Sequence, residues 1–146
     1  MKTLKHIIEM SITLVLLSAA AHADGQPEQK TGLWQRTSQT TENGKAKAPE
    51  KSQHCVDAAT LEMVKKALAT AAKQCSRYDL HQTGSKWILD SVCNFGATTL
   101  TLHQETVMNG DTAYHSESDS SYLPPLNGGE HSRTVTDGLW MGPCKK

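Results

Sequence analysis

The run TTLTLHQETVMNGDTAYHSES, residues 98 to 118, decides the architecture of this chain. Thr98 to Met108 changes character at every second position, the period of a strand with two unlike faces. Asn109-Gly110 follows, a pair suited to a two-residue hairpin turn, in which both central residues take a left-handed backbone. Asp111 to Ser118 then returns as the partner strand. Such a turn sets Met108 opposite Asp111. Leu100, Leu102 and Met108 would then share one face with Ala113, and His103, Glu105 and Val107 the other face with Tyr114.

Period two also governs the segment before it. Tyr78 and Leu80 alternate on one arm, Trp87 and Leu89 on the next. A two-residue connection at Thr83-Gly84 would pair Tyr78 with Leu89 and Leu80 with Trp87, whereas a three-residue loop would align Cys75 better with Cys93. Both registers stay open. Further upstream the period becomes helical: Asp57 can cap residues 58 to 73, along which Leu61, Val64, Leu68, Ala71 and Ala72 form a narrow apolar stripe suited to packing on a sheet.

Polar, threonine-rich Gln35 to Thr41 reads as a strand with one covered face. Glu42 to Gln53, with Asn43-Gly44 and Pro49, reads as a loop. Asp119 to Glu130 carries Pro124-Pro125 and Gly128-Gly129 and reads as a rim loop, before a last strand from His131 to about Thr136. The expected fold is α+β: an antiparallel sheet curled toward a barrel or half-barrel, one packed helix and two disulfides.

The first residues concern export. Lys2, Lys5 and His6 precede an uncharged apolar or small-residue run from Met10 to Ala21, and Ala21-His22-Ala23 offers small residues where a signal peptidase cuts. Residues 1–23 are therefore expected to be a signal peptide, 24–30 a flexible leader, and 31–146 a single domain. The apolar run spans only about 18 Å, short of the hydrocarbon thickness of about 30 Å, so no stable membrane anchor is expected. The chain holds 15 basic and 15 acidic residues without a cationic stripe, which excludes a nucleic-acid footprint.

Cys55, Cys75, Cys93 and Cys144 are even in number and show no Cys-x-x-Cys spacing, a pattern that in an exported chain indicates two disulfides. Cys75 and Cys93 bracket the hairpin near Gly84, while a full helix would hold Cys55 and Cys75 apart. The preferred pairs are Cys75-Cys93 and Cys55-Cys144.

No catalytic signature is present. There is no Gly-x-Ser-x-Gly elbow, and Gly84-Ser85-Lys86 lacks the upstream glycine of a phosphate loop. His103 and His115 would fall on opposite faces in the two-residue register and could not share an ion; no catalytic, metal or cofactor residue is assigned. Trp34, Trp87 and Trp140 are candidates for the core or for lining a groove.

A resemblance adds to this reading. Gly32-Leu33-Trp34, His54-Cys55, Cys75, Cys93, Gly110-Asp111-Thr112-Ala113-Tyr114 and Gly142-Pro143-Cys144 occur in the order of the family of exported bacterial proteins catalogued as domain of unknown function 3617, which the chain resembles over residues 31 to 144. Thr31 departs from that pattern, standing where proline is common. The resemblance implies an envelope or periplasmic setting in a Gram-negative cell and supplies no activity, because the family is functionally uncharacterised. The expected function is a non-catalytic binding module for a small apolar ligand or an envelope protein; the alternatives are a structural or stress-related envelope protein without a ligand, and a hydrolase with an unrecognised site.

Overall fold

The computed structural model describes residues 29–145. The expected signal peptide and residues 24–28 of the expected leader lie outside the described residues. Eight strands and one helix follow in the order β1 (Gly32–Glu42), β2 (Lys45–Ala46), β3 (Glu50–Val56), α1 (Ala58–Ala72), β4 (Cys75–Thr83), β5 (Lys86–Phe95), β6 (Thr98–Asn109), β7 (Ala113–Leu126) and β8 (Gly129–Gly142). Neighbours pair antiparallel in the order β2-β1-β8-β7-β6-β5-β4, with β3 also on the outer side of β1. The sheet is not closed into a barrel. Its two edges, β3 and β4, are joined by α1 instead. Glu50 and Lys51 on one edge, and Arg77 and Asp79 on the other, charge the exposed margins and discourage edge-to-edge association.

The mixed α+β fold with its two disulfides is therefore as the sequence indicates, but four local expectations change. Asn109 remains in β6 opposite Ala113, so the β6–β7 connection has three residues, with Gly110 left-handed at φ 62°. That extra residue reverses the parity of β7. Tyr114 now lies opposite Met108, on the face that also carries Leu100 and Leu102, and its ring is seated over Gly138. Burying an aromatic ring outweighs the local preference of Asn-Gly for a two-residue turn.

In the β4–β5 hairpin the connection is Gly84-Ser85, which pairs Leu80 with Leu89, Gln82 with Trp87 and Tyr78 with Ser91. An irregularity between Cys75 and Arg77 brings Cys75 opposite Cys93, so a two-residue turn and the cysteine alignment coexist. The expected loop at Glu42 to Gln53 is largely strand: β3 pairs with β1 from Val56 opposite Gly32 to Glu50 opposite Ser38. The expected rim loop from Asp119 is also strand as far as Leu126, and β8 begins at Gly129. The turn between them is Asn127-Gly128, both left-handed, at φ 51° and 83°.

One face of the sheet, here the inner face, looks toward α1. On β1, β7 and β8 it carries hydroxyls rather than large apolar groups. Ser38 meets Thr136 at 3.1 Å, Thr40 meets Thr134 at 3.0 Å, and Thr106 on β6 meets Ser116 at 2.9 Å. The fully enclosed apolar core is correspondingly small: Trp34, Val56 and Cys93. Asp57 caps α1 by accepting from the Thr60 amide at 2.7 Å. A hydrogen bond from the Thr60 hydroxyl, and then the one from its amide, hold the Asp57 carboxyl below its usual range. The helix rests on the sheet through half-exposed residues only, none of them buried.

The two disulfides join Cys55 to Cys144 and Cys75 to Cys93. The first crosses the end of β1, because β3 and β8 flank that strand on opposite sides. At this end Gly32 has φ 140°, and a Cβ there would stand 2.1 Å from the Trp140 indole nitrogen. A side chain is therefore excluded both by backbone conformation and by space.

Candidate functional site

Shallow packing of α1 leaves a cleft of about 500 Å³ between the helix and the inner face. Its helix side carries the apolar Leu61 and Val64, joined by Val56 at the end of β3, with Thr60 and Lys65 beside them. The sheet side is mostly polar. Arg36, Tyr114 and Met108 lie on one line across β1, β7 and β6, with only Gly138 of β8 between Arg36 and Tyr114. Thr106 and Ser116 form the adjacent line, and Gln104 donates to both of their hydroxyls at 3.2 Å. His54, opposite Trp34, and Lys65 on the helix complete the charged or ionisable lining. Among the described residues no carboxylate lines the cleft. Burial pushes the Tyr114 phenol up, against the opposing influence of Arg36.

Trp34 is buried, and its ring lies 5.8 Å from that of Tyr114. It supports the cleft from beneath its tyrosine. The Trp34 indole donates to the Lys30 carbonyl at 2.7 Å, and the Trp140 indole to the Thr31 carbonyl at 3.1 Å. The Lys30 ammonium sits 4.3 Å above the Trp140 ring and 3.3 Å from Asp111. Two tryptophans thus fasten the chain where it enters β1. Trp87 shares the inner face but lies opposite Gln82 and Thr106 on β5; none of the three tryptophans lines the cleft.

Sequence reasoning assigns none of Arg36, His54, Gln104, Met108 and Tyr114 to a binding site, although it places Met108 and Tyr114 on a hairpin and His54 beside Cys55. The alternation Trp34, Arg36, Ser38, Thr40 was the available signal, since it places an arginine on the same face as a buried tryptophan.

The corrected β6–β7 register also brings His103 and His115 onto one face, the outer one. They still do not meet. His103 is opposite Asp119 and His115 opposite Val107, four residues further along β6, a separation of about 13 Å. Each ring engages its own carboxylate: His103 Nδ1 is 2.7 Å from Asp90, and His115 Nδ1 is 2.7 Å from Asp137. Glu105 and Glu117 approach the opposite ring nitrogens, at 3.7 and 3.3 Å. Among the described residues no group of three His, Cys, Asp or Glu side chains is placed to hold a metal ion.

These contacts make the outer face sensitive to pH. Hydrogen bonding to Asp90 raises the His103 pKa, and bonding to Asp137 and then Glu117 raises that of His115. A raised histidine pKa contributes stability that is complete below the unfolded value of about 6.5 and is lost as pH rises through the folded value. The Asp90 carboxyl is held down by its bond from His103, and Glu105 by its bond from Lys86, so their contributions disappear instead on acidification. NMR titration should find both imidazoles above the ordinary range, and Asp90→Asn should lower His103 while leaving His115 unchanged. Both rings are nearly half exposed, so the effect on stability should be small. Two unshifted imidazoles would show that these pairs do not form in solution.

Among the described residues no helix is long and apolar enough to cross a membrane. Compared with known families, residues 29–144 match the one described as a protein of unknown function (DUF3617). No curated protein matches the chain.

Proposed function

The chain belongs to the DUF3617 family of proteins of unknown function, and from that premise we propose that it is an exported, non-catalytic binding module holding a small apolar ligand between α1 and the inner face of the sheet. The observation that carries this reading is the cleft itself. Its volume of about 500 Å³ falls within the range of about 300–1,000 Å³ typical of small-molecule sites. Leu61 and Val64 turn apolar surface into it, and Val64 remains 45% exposed although it lies on the side of the helix nearest the sheet. A helix that needed only to complete the core would bury that side.

The proposed setting is the periplasm, reached through a signal peptide cleaved after Ala23, with residues 31–146 as the domain. Two disulfides and an absence of free cysteine among the described residues suit an oxidising compartment.

The test uses Nile red, a neutral apolar dye, with the mature protein purified in oxidised form. Saturable fluorescence enhancement is expected, together with at least a tenfold loss of affinity in Val64→Arg, a change at an exposed position that should leave the melting temperature within a few degrees. Absence of saturable binding, or equal binding by a folded Val64→Arg protein, would overturn the proposal.

A further inference from the structure

We infer that the cleft selects a single-chain amphiphile ending in an anionic head, a carboxylate or a phosphate monoester, with the apolar chain against α1 and the head at Arg36. The inference rests on the cleft being a ligand site and adds the chemistry of the ligand. Its basis is the unequal character of the two walls. Leu61, Val64 and Val56 offer apolar contact on one side, with Thr60 and Lys65 beside them, while Arg36 opens into the cleft on the other. Among the described residues no carboxylate is paired with Arg36, and none lines the cleft.

A neutral apolar ligand would cover the Arg36 guanidinium and remove water from it without supplying a counter-charge, which is costly. A cationic ligand would meet Arg36 directly. An anionic head turns the same desolvation into a charge-assisted, two-pronged hydrogen bond, for which the planar guanidinium is suited.

Neighbouring groups are arranged to complete such a contact. Thr106 and Ser116 are already bonded to each other and to Gln104, so their positions are set before a ligand arrives. Tyr114, held over Gly138, brings its phenol into the field of Arg36. The volume lies in the lower part of the range for small-molecule sites, which favours one chain over a two-chain lipid.

The experiment compares cis-parinaric acid, whose fluorescence rises on entering an apolar site, with its methyl ester, which has the same chain and no charge. The acid should bind at least tenfold more tightly at low salt, and the advantage should shrink as salt is added. Arg36→Gln, at an exposed position, should remove most of the acid's advantage by weakening the acid's binding without weakening the ester's. Equal binding of acid and ester overturns the head-group inference and leaves the apolar cleft standing. Failure of both ligands to bind overturns the cleft as well. An acid preference that persists undiminished in Arg36→Gln places the anion elsewhere and overturns the assignment to this site.

Discussion

Replacing Cys55 and Cys144 together by alanine should lower the unfolding free energy by about 4 to 5 kcal/mol, more than any other disulfide change in this chain. The estimate follows from the length of chain that the bond constrains. Cys55 and Cys144 are 89 residues apart in sequence, against 18 for Cys75 and Cys93, and the entropy withdrawn from the unfolded chain rises with the logarithm of that length. The same reasoning assigns the shorter loop about 3 kcal/mol. With Trp34, Val56 and Cys93 as the buried apolar side chains among the described residues, the larger loss is a substantial part of a total stability of about 5 to 15 kcal/mol.

Position strengthens the case. The bond ties Cys55, near the end of β3, to Cys144, two residues beyond β8, across a strand that pairs with both β3 and β8. Without it the helix and β3 would be held at this end by the β1–β3 pairing alone. Urea unfolding of the two double variants, each with its remaining disulfide intact, provides the measurement. A Cys75→Ala, Cys93→Ala protein less stable than the Cys55→Ala, Cys144→Ala protein would reverse the expected order and refute the chain-entropy account.

The strand period, the helix and its cap were legible because each has a local cause. Asp57 is followed by residues that alternate at helical spacing, and α1 spans Ala58–Ala72 within one residue of the expected 58 to 73. The segments misread as loops failed for one shared reason. Strand periodicity shows in hydropathy only where apolar and polar residues alternate, whereas Glu50, Lys51, Ser52 and Gln53 in β3, and Asp119, Ser120 and Ser121 in β7, are polar on both faces of the sheet. Hydropathy is therefore blind to the period there. Hydroxyls face inward because they can satisfy one another across strands, and charges face water.

Register was less accessible still. Nothing local to Asn109-Gly110 distinguishes a two-residue from a three-residue connection; the three-residue one places the Tyr114 ring over Gly138, a residue on another strand whose lack of a side chain leaves room for it. The cleft was invisible for a similar reason. It arises from an incomplete fit between α1 and the sheet, and the apolar stripe of Leu61, Val64 and Leu68 reads the same whether it is buried or left half open.

That dependence on Gly138 yields the second large effect: Gly138→Ala should destabilise the domain by about 3 kcal/mol. The position has ordinary strand backbone, so the penalty is steric. A Cβ at Gly138 would lie 2.0 Å from Cε1 of Tyr114 and 2.4 Å from Cζ, far inside contact distance. The ring cannot slide clear without leaving Trp34, whose centroid is 5.8 Å away and whose side chain is the largest that is fully buried. The β7–β8 and β1–β8 pairings hold Gly138 between Tyr114 and Arg36, so the backbone has little room to withdraw. If the clash with Tyr114 is the cause, shortening the tyrosine should relieve it. Tyr114→Leu alone should cost stability through lost aromatic packing, but in the Gly138→Ala background it should cost much less, giving a coupling of about 1 to 2 kcal/mol in a double-mutant cycle. The cleft should respond in parallel: Gly138→Ala, under conditions where it remains folded, should weaken Nile red binding because Tyr114 no longer lies flat beside Arg36. A Gly138→Ala protein as stable as the parent, or two substitutions whose effects simply add, would show that Tyr114 does not rest on this glycine and that the three-residue β6–β7 connection has another cause.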